Sequence, residues 1–276
     1  MENKPDALET LAEPAALAAP VAPWTVAPIW HTVILVAAIA AISIHGALHF
    51  SGEHGAINRL TTYALTAGME ALMLGWVVFG LRLRKTKLRS LLGEWRWSPR
   101  AIFADLGIAL AFWLCALAVL GSLALVWSGA ETAITHRPLP THVAGQKLTP
   151  DPSQQQALHA LEQLAPGNGE EMTAWALLCV LVGLAEEIVF RGYLQRQFIG
   201  WAHGGVVMGV MASAVVFGGA HGYQGVRNMF LLTVFGALFS VLALRRHSLR
   251  AGIIAHGGHD LIAGLALAAL RAKHLI

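Results

Sequence analysis

Charge is what this chain has least of. Only 13% of its 276 residues are Asp, Glu, Lys or Arg, against 56% hydrophobic, and the mean hydropathy is +0.58. A soluble domain of this length cannot hide such an excess in one core, so a membrane protein is expected. Cysteine is as scarce. Cys115 and Cys179 both fall in apolar stretches, where thiols are ordinary packing residues, and a disulfide framework is excluded. The formal net charge of +3 is too small to argue for a nucleic-acid partner, and none is expected. A basic, apolar leader is lacking too: the first 28 residues are rich in Ala and Pro and set Glu2, Asp6, Glu9 and Glu13 against Lys4. A disordered tail over 1–28 is expected there rather than a signal peptide.

What the sequence does have is long apolar runs. Seven stand out: Ile29 to Phe50, Leu60 to Leu81, Ala101 to Trp127, Met172 to Phe198, Gly205 to Gly219, Met229 to Leu244 and Leu249 to Leu270. A hydrocarbon core about 30 Å thick takes about 20 helical residues to cross, so the expected fold is all-α, a polytopic bundle of about seven spans. It divides into three N-terminal helices over 29–127, an extracytoplasmic loop over 128–171 and a helical core over 172–276. Arg82, Arg84, Lys85, Lys87, Arg89, Arg96 and Arg100 crowd the connection between the second and third runs, against the single acid Glu94. Basic residues flank the cytoplasmic ends of spans, so this loop and the N-terminus are expected inside, with Arg245, Arg246 and Arg250. Seven crossings put the C-terminus outside, yet it carries Arg271 and Lys273. Within the outer loop, Asp151-Pro152-Ser153 followed by Leu158, Leu161 and Leu164 resembles a capped amphipathic helix.

Ionisable groups inside a span are costly and need a partner, a wet cavity or a task. The last four runs hold nearly all of them. Glu186 and Glu187 are adjacent, and Arg191 follows four positions after the second. Positions four apart share a helix face, so Glu187 is expected to pair with Arg191 while Glu186 points elsewhere, free for chemistry. His221 closes the fifth run after Phe217, and the seventh carries His256 and Asp260, again four apart. A carboxylate can take a proton from water, an imidazole can share it, and a second imidazole can serve the developing oxyanion. Glu186 with His221 would form the water-activating half and His256 with Asp260 the stabilising half.

Other readings use the same residues. Glu186, His221 and His256 would make a two-His, one-Glu zinc set, although no His-Glu-x-x-His helix is present. Cys179 lies two helical turns before Glu186 and is rejected as a nucleophile. A catalytically silent scaffold would keep the groups as a buried polar network. An ion-coupled transporter would explain Glu70, isolated in the second run, but no internal repeat with matching broken helices is present; a packing contact against the catalytic helices is the reading taken for it. One difficulty is depth. With straight helices His221 falls at the outer end of its run, so a break or tilt is expected in the stretch with Gly218, Gly219, Gly222 and Gly225.

Glu-Glu-x-x-x-Arg, then Phe-x-x-x-His, then His-x-x-x-Asn/Asp on successive membrane helices resembles the CPBP (CAAX prenyl protease and bacteriocin-processing) family. The motifs fall on Glu186, Glu187 and Arg191, on Phe217 and His221, and on His256 and Asp260, and the resemblance covers roughly Met172 to Leu270. It implies an intramembrane endopeptidase in which Glu186 and His221 activate water, His256 and Asp260 bind the oxyanion, and Glu187, Arg191 and Phe217 support the site. The family often has Asn where this chain has Asp260, which accepts only when ionised and is better suited to orienting His256. The resemblance implies no essential cofactor, with zinc as the alternative. The implied partners are membrane lipid and a peptide or prenylated protein. An acidic tail and short loops suit a bacterial inner membrane.

Overall fold

The structure, a computed structural model, describes residues 25–49, 58–135 and 164–273. The tail before residue 25 and most of the surface helix expected from Asp151 lie outside the described residues. The element order is α1 (Ile29–His49), α2 (Arg59–Leu83), α3 (Leu88–Leu92), α4 (Pro99–Thr135), α5 (Gly169–Glu186), a π-helical stretch (Glu187–Leu194), α6 (Gln195–Trp201), α7 (Val206–Ala220), a 3-10 turn (Gly222–Gln224), α8 (Val226–Arg246) and α9 (Arg250–Ala272). The chain is an all-α polytopic bundle. Large apolar side chains such as Leu72, Leu125 and Val180 face outward, as lipid contact requires.

Among the described residues six helices are long and apolar enough to cross a membrane, α1, α2, α4, the continuous Gly169–Trp201 helix, α8 and α9, and the remaining expected run is a shorter apolar helix. The fifth run became α7, only 15 residues, and at about 1.5 Å per residue it is about 22 Å long, short of the hydrocarbon core. Its apolar composition resembled a span; its length did not. The chain still makes seven legs. Asp105 on α4 pairs with Arg246 at 3.0 Å and with Arg250, and Arg250 Nη1 donates to the Arg96 carbonyl at 2.6 Å. The α8–α9 turn therefore shares an end of the bundle with the basic loop. At the opposite end Arg271 Nη1 donates to the Ala165 carbonyl at 3.0 Å.

Local chemistry sets where the helices start. Asn168 accepts from the Glu171 amide at 2.9 Å and Glu171 Oε2 from the Gly167 amide at 2.7 Å, a reciprocal cap at the start of α5. Asn58 caps α2 in the same way, accepting from the Thr61 amide at 3.1 Å. The expected tail ends earlier than residue 28, because Val26 and Ala27 are buried. Gln197 straps them: its Oε1 accepts from both amides, at 2.6 and 3.2 Å, and its Nε2 donates to the Ala27 carbonyl at 3.0 Å and to Thr32 Oγ1 at 2.6 Å. Beside it, Tyr193 meets His31 Nδ1 at 2.7 Å and Thr32 Oγ1 at 2.8 Å. These buried bonds fix α1 to the helix that carries the candidate site.

The α5–α9 crossing matters most for the site. At Gly183 a Cβ would lie 2.7 Å from the Gly257 nitrogen and 3.1 Å from the Ile253 carbonyl oxygen, so only glycine lets the two backbones approach this closely. Gly183→Ala is expected to cost about 1–3 kcal/mol, since the obstructing atoms are backbone and cannot step aside. Denaturant unfolding in detergent checks this, and an unchanged midpoint would contradict it.

Candidate active site

All seven legs contribute to one cavity of about 690 Å³ whose wall includes Glu186, His221, His256, His259, Asp260 and Glu70. Glu186 is the last residue of α5, and Glu187 opens the π-helical stretch. An eight-residue π stretch is rare, and such irregularities concentrate at functional sites because they redirect side chains. The pairing expected of Glu187 and Arg191 is present. Glu187 is fully buried and pairs with Arg191 at 2.9 Å. Glu186 borders the cavity instead, and its Oε2 accepts no hydrogen bond from a described residue.

His256 is the hub. Its Nδ1 faces Glu187 Oε1 at 3.0 Å, and its Nε2 faces Glu186 Oε2 at 3.5 Å and Asp260 Oδ2 at 3.9 Å. Three carboxylates thus surround one imidazole, and of these Glu187 is within hydrogen-bond distance. Arg191 completes the network from below: its guanidinium lies 4.2 Å from the Phe217 ring centroid and 5.0 Å from that of Phe239, so a buried cation is faced by aromatic rings as well as by Glu187. Phe217 then bridges the histidines, with ring centroids 5.0 Å from His221 and 6.0 Å from His256. That explains the Phe in the second motif.

Glu186 and His221 line the same cavity, and the glycine contact that draws α9 onto α5 also brings His256 Nε2 to 3.5 Å from Glu186. His221 reaches the cavity because the chain breaks where the glycines lie: α7 stops at Ala220, and Gly225, at φ +86°, turns the chain into α8. Its Nδ1 donates to the Phe217 carbonyl at 2.9 Å, one of the carbonyls that a helix end leaves without an amide. In the neutral ring this leaves the lone pair on Nε2, so His221 presents an acceptor.

The zinc set does not assemble. Among the described residues no three His, Cys, Asp or Glu side chains converge as metal ligands, and both nitrogens of His256 face carboxylates already. Cys179 is buried in the cavity wall, with its carbonyl against Gly257. Two groups escaped the sequence reading as site residues. Glu70 on α2 is buried on the cavity wall with its Oε2 unbonded among the described residues. His259 lies on the same wall and is bonded to Trp113 of α4 at 3.2 Å. Ionisable character inside a span was the available signal for both.

A helical membrane protein that lines an internal cavity with carboxylates and imidazoles has the makings of a membrane-embedded hydrolase. Residues 168–262 match the family model for Rce1-like type II CAAX prenyl endopeptidases. The matched region runs from the cap of α5 into α9 and contains all three motifs. No curated protein and no solved structure matches the chain.

Proposed function

We propose that this chain hydrolyses a peptide bond of a membrane-associated or prenylated, CAAX-type substrate, using a water activated by Glu186. The observation that carries the reading is that the two glutamates differ in place: Glu187 is held away from the cavity by Arg191 and His256, while Glu186 lines the cavity with its Oε2 3.5 Å from His256 Nε2. Glu186 takes a proton from water, and His221 accepts a hydrogen bond from that water through Nε2, helping to aim it. The water oxygen attacks the amide carbon. His256 stabilises the negative charge that builds at the site, and Asp260 orients it. The leaving amine takes the proton held by Glu186. This reading uses no metal in any step. The apolar remainder of the wall, including Ile39, Met69, Met73 and Leu178, suits a lipidated or membrane-borne peptide. We place the protein in a bacterial inner membrane with its N-terminus and basic loop in the cytoplasm.

The test is cleavage of a fluorogenic farnesylated peptide ending in a CAAX sequence, by purified protein in detergent, with and without a strong chelator. Undiminished cleavage after chelation is the expected result. Cleavage that chelation abolishes and zinc restores would overturn the mechanism, and loss of all cleavage preference for peptides over controls would favour the scaffold.

A further inference from the structure

The cavity wall holds two neutral-capable imidazoles locked in opposite senses. His221 spends its Nδ1 hydrogen on a carbonyl and offers a lone pair. His259 is the reverse. The Trp113 indole nitrogen can only donate, so its 3.2 Å bond to His259 Nδ1 makes that nitrogen an acceptor and puts the hydrogen of the neutral ring on Nε2. The ring is also held in orientation, edge-on to Phe235 with centroids 5.3 Å apart and planes at 67°. Nε2 makes no hydrogen bond to a described residue. His259 is therefore a fixed N–H donor on the wall that also carries Glu186 and Asp260.

Among the ionisable groups of the wall such a donor is scarce. Glu186, Glu187 and Asp260 accept when ionised. Both nitrogens of His256 face those carboxylates, and Arg191 is occupied by Glu187 and the Gly236 carbonyl. Attack on a peptide carbonyl moves an electron pair onto the carbonyl oxygen, and a preorganised N–H is worth most where that charge appears. We propose that His259 is a catalytic residue whose Nε2–H donates to the scissile carbonyl oxygen as it becomes an oxyanion, with Trp113 as the positioning residue that holds the tautomer. This rests on the peptidase reading. As the water oxygen bonds to the carbonyl carbon, its proton passes to Glu186 and the oxyanion accepts from His259. On collapse the C=O re-forms, the C–N bond breaks and the amine nitrogen takes the proton from Glu186. The His259 hydrogen never leaves its nitrogen.

The experiment compares His259→Phe, His259→Gln, Trp113→Phe and Glu186→Gln in the full-length protein, using the fluorogenic farnesylated peptide. His259→Phe is expected to lower kcat by about 10²–10³-fold, the scale of one oxyanion donor, with little change in KM. His259→Gln, which restores a side-chain N–H, is expected to recover at least about tenfold of that loss. Trp113→Phe should give a smaller fall in kcat, and ¹⁵N spectra of histidine-labelled protein should show His259 leaving the Nε2–H tautomer. Wild-type kcat in His259→Phe with Glu186→Gln inactive would overturn this inference and leave the peptidase reading standing. So would His259→Gln performing no better than His259→Phe. Wild-type cleavage in Glu186→Gln would remove the peptidase reading itself.

Discussion

Glutamine in place of Glu186 is expected to reduce kcat by about 10²–10⁴-fold, the range that a positioned general base contributes. Glutamine fills the same volume and keeps a carbonyl oxygen, so the helix and the cavity wall should survive. What it loses is the ability to take a proton. KM should move little, because Glu186 is asked to act on water rather than to bind the peptide. The assay is steady-state cleavage of the farnesylated peptide by matched preparations of folded wild type and variant. A scaffold makes the opposite forecast: its partners would bind the variant as before, and there would be no cleavage to lose. Retention of full turnover would show that another group activates the water.

Arg191→Met is expected to be the most damaging single change to stability, at about 3–5 kcal/mol. Both partners of the Arg191–Glu187 pair are buried, and they meet at 2.9 Å. Removing the arginine leaves Glu187 charged, dry and dependent on His256 alone. It also removes the cation facing Phe217 and Phe239. Changing Glu187 to Gln in the same protein should recover part of the loss, because the stranded charge goes with it. Chemical unfolding in detergent reads both variants. Equal midpoints for wild type and Arg191→Met would mean that the pair does not hold these helices together.

Most of the fold was legible because membrane spans are written locally, as apolar runs of a set length. The Glu187–Arg191 contact was legible for a similar reason, since four-residue spacing is a property of one helix. The glycines after His221 correctly marked a break. What was not legible is how one helix meets another. Motif order gave no sign that the close contact of Gly183 with Gly257 brings His256 to within 3.5 Å of Glu186. No periodicity links Trp113 to His259 or draws Glu70 from α2 to the same wall, because those contacts join distant parts of the chain. The π-helical stretch is also unannounced by its residues.

That stretch has a further consequence, for inheritance rather than for chemistry. A π-helical turn holds one residue more than an α-helical turn, so its length is a register that a single in-frame codon can reset. Loss of one residue after Arg191 would leave Glu186, Glu187 and Arg191 where they are but swing everything downstream by about 100°. Tyr193 and Gln197 would turn away from His31, Thr32, Val26 and Ala27. One deletion could thus uncouple the amino-terminal segment from the catalytic helix while leaving the motif letters intact, so lineages that differ by a codon here could share a motif and differ in architecture.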